Sequence, residues 1–197
     1  MRRLVIVACV LCTLHAFAQT DKLWYQAEQE YGRRDYKAAQ KTLTKITTQQ
    51  PQSLRAHFLL GSAYFYEGNF AEAAKVYEAT LALNAKSDDK LPRDLFRALT
   101  DNYGMALGIS GQLEKSRAVF EAAIKDDPDY PLYHYNLACG WAEENKMDEA
   151  IKHLRNGWER RSNLLQGETF PNPRTDDSFK RFLGKPKFEA ALKEMGF

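Results

Sequence analysis

The sequence predicts an all-α fold, an α-solenoid of four helix-turn-helix units closed by a C-terminal capping segment. Three observations predict it: a short motif returns at a fixed period, apolar residues flank each copy at helical spacing, and the C-terminal stretch breaks the period. Asp35-Tyr36-Lys37-Ala38-Ala39 returns 34 residues later as Asn69-Phe70-Ala71-Glu72-Ala73. Gln112-Leu113-Glu114-Lys115-Ser116 and Lys146-Met147-Asp148-Glu149-Ala150 are again 34 apart, whereas the second and third copies are 43 apart. A period of this length marks stacked supersecondary units, none of which buries its apolar face alone.

The first element lies outside the array. Met1-Arg2-Arg3 is basic, Leu4 to Phe17 is mostly apolar, and Ala16-Phe17-Ala18 places small residues before Gln19. That order is a secretory signal peptide over 1–18, with cleavage expected after Ala18 and a periplasmic or secreted destination. Ile6-Val7-Ala8-Cys9 resembles a lipobox, but only five apolar residues separate Arg3 from Cys9, which disfavours lipid anchoring there. The apolar run is shorter than the roughly 20 residues that span a bilayer, so no membrane insertion is expected after cleavage. Cleavage removes Cys9 and Cys12, leaving Cys139 as the only thiol of the three cysteines. It also removes Arg2 and Arg3, which leaves 26 basic against 26 acidic residues where the full chain carries +2. Neutrality argues against a nucleic-acid partner, which usually shows as a basic excess or stripe.

The array follows over 19–162, in units of about 20–53, 54–87, 97–130 and 131–162. The extra residues at 85–93 read as an extended loop or a lengthened helix start. In the second unit Leu60, Gly61 and Tyr64 belong to the first helix, and Ala73, Tyr77 and Leu81 to the second. Gly68-Asn69 makes the turn between them, glycine being suited to left-handed backbone angles. Ala27, Gly61, Gly104 and Ala138 share one register of the first helices, and Ala39, Ala73, Ser116 and Ala150 one register of the second. Small residues at these places predict a close crossing, where a large side chain would overpack.

With these residues in view the chain resembles the tetratricopeptide repeat family. Leu60-Gly61-x-x-Tyr64…Gly68-Asn69-Phe70-x-x-Ala73 matches the family's unit, and Pro51 and Pro128 close units as its proline does. Arg34 in place of the turn glycine, Ala85 in place of the closing proline, and Gly157 in the last helix depart from the pattern. Residues 163–197 resemble the end-of-array unit of many bacterial repeat proteins. Pro171-Asn172-Pro173 forbids continuous helix, and two short helices follow that begin near Asp176 and Pro186. Phe179, Phe182, Phe188 and Leu192 are expected to cover the last apolar face.

No constellation for catalysis, cofactor or metal emerges. His57 and His134 occupy equivalent places two repeats apart, too far to share an ion. Glu149-x-x-x-His153 reads as an exposed helix pair. Gly104-x-x-x-Gly108-x-x-Gly111 lacks the lysine and the preceding strand of a phosphate loop. Cys139, between Ala138 and Gly140, has no cation to lower its pKa and reads as a packed thiol.

What remains is the concave face, where the resemblance implies peptide binding by the first helices. The family's groove register falls on Trp24, Tyr31, Phe58, Phe65, Tyr66, Asn102, Met105, Tyr135 and Asn136. The implied function is an exported scaffold whose groove holds an extended, partly apolar segment of a partner protein. Phe58, Ser62 and Leu132 stand where chaperone-tail binders place their carboxylate-holding residues, so that ligand is not expected. Two competing expectations stay open. The aromatics are packed by the insertion or by Phe170-Pro171-Asn172-Pro173, or the protein is architectural and self-associates as a homo-oligomer without a peptide ligand.

Overall fold

The computed structural model describes residues 20–197. The expected leader at 1–18, its cleavage point and Cys9 therefore lie outside the described residues. Those residues contain helices and turns but no strand, and they divide between Lys90 and Leu91 into two compact bodies.

The N-terminal body holds two helix pairs. Helix α1 covers 20–32, α2 Tyr36–Gln49, α3 Leu54–Tyr66 and α4 Phe70–Lys86. Each of the middle two begins on a side chain that satisfies an otherwise unpaired amide: Asp35 accepts from Ala38 N at 3.0 Å and Ser53 from Ala56 N at 3.3 Å. Ala27, Ala39, Leu43, Ile46, Ala56 and Leu60 form the core. The two small-residue registers do face a close crossing. A Cβ added at Gly61 would sit 2.5 Å from the Tyr77 ring, and the fully buried Tyr77 hydroxyl donates to Ser62 Oγ at 3.2 Å. Beyond this pair α4 runs on to Lys86, and Lys90 Nζ donates to the carbonyls of Asn84 and Ala85 at 2.7 and 2.6 Å. A cation at a helix C-terminus satisfies orphan carbonyls and suits the dipole.

The C-terminal body opens with α5, Arg93–Ile109, so only 87–92 stay non-helical where the extra residues enter. Then come α6 Leu113–Asp126, α7 Pro131–Glu143 and α8 Met147–Glu159. The same crossing recurs: Gly104 leaves space for the Phe120 ring, and Ser116 Oγ donates to Gly104 O at 2.7 Å. Two 3-10 turns, Arg161–Asn163 and Asp177–Phe182, precede α9, Pro186–Glu194. Phe179, Phe182, Phe188 and Leu192 are each 0% exposed and pack with Ala138, Ile151 and Leu154. The tail is a cap. Each of those large side chains, if left in water, would forfeit about 1.5–3 kcal/mol.

The turn inside each pair is built the same way four times. Arg34, Gly68, Gly111 and Asn145 all have positive φ, at 61°, 84°, 84° and 60°. The geometry is kept even where glycine is absent. Gly157, which departs from the repeat pattern, also has a packing reason: an added Cβ would lie 2.9 Å from Pro131 O and 3.0 Å from the Phe170 ring.

Candidate functional site

The first helices carry the expected groove residues, and each body places its share differently. In the N-terminal body Trp24 is half-buried, with the Arg55 guanidinium 4.9 Å from its ring centroid and its Nε1 donating to Gln50 Oε1 at 3.3 Å. Arg55 also pairs with Glu28 at 2.9 Å, so Trp24 is roofed by its own chain. Phe58 tilts against Tyr77 with centroids 6.3 Å apart. Tyr31, Phe65 and Tyr66 join Tyr36 and Phe70, the first residues of α2 and α4, in one cluster with ring centroids 5.2–6.2 Å apart. The cluster therefore lies at the turns joining α1 to α2 and α3 to α4. Tyr66, 56% exposed, is its accessible member.

In the C-terminal body Met105 and Asn136 line a cavity of about 460 Å³. Met105, Gly108 and Ile109 come from α5, Leu113, Ser116 and Phe120 from α6, and Asn136, Cys139, Gly140 and Glu143 from α7. The tail closes it with Asp176 and Ser178. Asn102 is half-buried on α5 and is not among the lining residues. Tyr135 is only 2% exposed: the rings of Phe170 and Phe179 stand edge-on to it at 5.3 and 5.9 Å, and its hydroxyl donates to Asp176 Oδ2 at 2.8 Å. For this one residue the tail supplies the cover that was the competing expectation. It does not roof the rest, since Ile109 at the rim is 54% exposed.

Behind the wall sits a buried ionisable group. Asp101 is 6% exposed and accepts from Asn136 Nδ2 at 2.7 Å. Burial pushes its carboxyl up to about 7, against the pull of the Asn136 hydrogen bond. Cys139 Sγ lies 3.7 Å from Asp176 Oδ2, and burial, reinforced by that carboxylate, raises its thiol well above the ordinary value. A thiol in that state is a weak nucleophile. Nearby, Arg97 is 7% exposed and grips Asp127 through two bonds of 2.6 and 3.0 Å. The guanidinium holds the Asp127 carboxyl down at about 2.

The histidines fall into a pattern. His57 Nε2 and His134 Nε2 each lie 3.1 Å from the carbonyl of the proline six residues before, Pro51 and Pro128. His134 stacks on His153 with centroids 5.9 Å apart, and both Nδ1 atoms are buried without a partner. Among the described residues no group of three or more His, Cys, Asp or Glu side chains is placed to hold a metal ion.

Comparison with known proteins names this architecture. A tetratricopeptide repeat profile matches residues 26–88, and a second TPR repeat profile matches 104–138. The chain belongs to the tetratricopeptide repeat family. Among curated proteins it is 28% identical over 94 residues to the TPR repeat-containing thioredoxin TTL4 of Arabidopsis thaliana. That match takes in 48% of the chain but only 12% of the relative's length. Among solved structures, a crystal structure of MamA protein superposes with a TM-score of 0.66 at 16% identity, covering 88% of this chain and 86% of the other. TTC0263, a thermophilic TPR protein of Thermus thermophilus, gives 0.57 at 16% identity over 88% and 81%. At such identities the likeness is one of fold. Tetratricopeptide repeat arrays generally serve as scaffolds for protein–protein interaction, and the α5–α7 cavity lies within the matched repeats apart from Cys139, Gly140, Glu143 and its tail residues.

The tail wall was the part sequence reasoning missed. Asp176 was legible as a helix-start residue, and its side chain does accept from Ser178 N at 2.9 Å. Nothing in the repeat period indicates that the same carboxylate also lines the cavity.

Proposed function

We propose that this tetratricopeptide repeat protein is an exported scaffold that holds an extended, partly apolar segment of a partner protein against its first helices. The observation that supports the reading is the open 460 Å³ cavity walled by α5, α6 and α7. Its volume is that of an ordinary ligand site, about 300–1,000 Å³. Met105, Ile109, Leu113 and Phe120 offer apolar surface whose removal from water favours binding. Asn136 supplies a polar contact, and the Tyr31–Tyr66 cluster of the other body offers a second apolar patch. The Arg2-Arg3 start, apolar run and Ala16-Phe17-Ala18 supply the reason to place the protein outside the cytoplasm.

Site-specific photocrosslinking tests the binding role. A benzophenone side chain at Ile109 on the rim should trap one partner, and a peptide copied from the trapped segment should compete it away. The same group at Glu121, on the exposed face of α6, should trap nothing discrete. Equal products at both positions, or no competition by the peptide, would refute the scaffold reading.

A further inference from the structure

The cavity has a chemical polarity, and the inference drawn from it rests on the scaffold reading above. Its α5–α6 side is apolar, with Met105, Ile109, Leu113 and Phe120, and its α7–tail side carries the carboxylates of Glu143 and Asp176. None of the lining residues is lysine, arginine or histidine. Asp176 takes its hydrogen bonds from neutral donors: Tyr135 Oη at 2.8 Å, Ser178 N at 2.9 Å and, longer, Cys139 Sγ at 3.7 Å. Glu143 lies 3.8 Å from the Arg181 guanidinium, with both side chains nearly half exposed. Such exposed pairs exchange readily with water and other partners.

A glycine keeps this space open. At Gly61 and Gly104 an added Cβ would overlap an aromatic ring, so packing itself demands glycine there. At Gly140, inside α7 and on the cavity wall, an added Cβ would meet nothing within 4 Å. Glycine weakens a helix interior relative to alanine. No neighbour requires it at 140, and what its missing side chain leaves free is the cavity.

We propose that this cavity is a subsite for one long cationic side chain, an arginine or a lysine, of the bound partner segment. Its aliphatic stem lies along Met105, Ile109 and Leu113, and its head reaches Glu143 and Asp176. Arginine and lysine combine an apolar stem with a charged tip, matching the two sides of the cavity. A wholly apolar side chain would dehydrate two carboxylates without giving either a partner, and an anionic one would be repelled.

Fluorescence anisotropy with short labelled peptides tests this. The peptides share a leucine, alanine and threonine background and carry arginine, lysine, citrulline or glutamate at the centre. Arginine and lysine peptides should bind about tenfold tighter than the citrulline peptide, with the glutamate peptide weakest and the differences shrinking as salt is added. Gly140→Leu should block every peptide while the melting curve shows an intact fold. At the exposed rim, Ile109→Lys should weaken the arginine peptide and Ile109→Glu should tighten it, independently of how Gly140→Leu folds. Equal binding of arginine and citrulline peptides, both blocked by Gly140→Leu, overturns the cationic subsite and leaves the scaffold reading standing. Unchanged binding of every peptide by Gly140→Leu and by both Ile109 variants removes the cavity as the seat, and both readings fall with it.

Discussion

Asp101 is buried and His153 half-buried in the C-terminal body, and loss of water acts on their charge with opposite consequences for stability. Asp101 ionises near 7 in the folded chain against an ordinary 3.8. Between those values the unfolded chain has lost the proton and the folded chain has kept it, so stability falls as pH rises. His153 is held down to about 4 by burial, then by His134 and Lys152, against the pull of Glu149. Between about 4 and its ordinary 6.5 the unfolded chain binds the extra proton, so stability rises with pH. His134, lowered mainly by burial and with Arg160 also disfavouring its charge, adds to the rise. The two slopes oppose each other over pH 4–6.5. Asp101→Asn should therefore steepen the rise in denaturation midpoint across that window, and His153→Gln should tilt the profile the other way. Parallel profiles for wild type and both variants would show that neither group titrates as its burial demands. The stacking of His134 on His153 was beyond the sequence reading, which paired His134 with His57 by register. That register did hold locally, since both rings meet a proline carbonyl. Only the antiparallel packing of α7 on α8 decides which histidine lies across from His134.

At the scale of elements, the turns were legible and their exceptions kept the same geometry. The left-handed geometry persists at Arg34 and Asn145 because the helices on both sides demand it, although a left-handed side-chain residue costs roughly 1–2 kcal/mol. Gly157 departs from the repeat pattern, but the close approach of Pro131 and Phe170 makes it a packing requirement. The tail's role could be anticipated, because an array must cover its last apolar face. Removing residues after Arg174 should expose the seats of Phe179, Phe182, Phe188 and Leu192 and lower the melting temperature or cause aggregation. A finer version, Phe188→Ala, should cost about 3–5 kcal/mol, because it opens a cavity at a fully buried ring. A truncated chain that melts like the full one would remove the capping role.

At the scale of the whole molecule, export is the proposal with the sharpest test. Intact mass and N-terminal sequencing of protein recovered from the cell envelope or medium should find Gln19 as the first residue, and so a formally neutral chain with Cys139 as its one thiol. Recovery of the uncut chain in the cytoplasm would refute it. Among the described residues no helix is long and apolar enough to cross a membrane.

The sequence by itself determined the helix pairs, their 34-residue period, the small residues at the crossings and the apolar tail. These follow from spacing along the chain and from side-chain size, both local properties. Only the tertiary structure decided that Tyr135 lies under Phe170, that Asp101 loses its water, and that Asp176 joins α5, α6 and α7 around one cavity. Those residues are 35 or more positions from their partners, and contact between them depends on how the tail folds back and how helices stack, which no repeat period encodes.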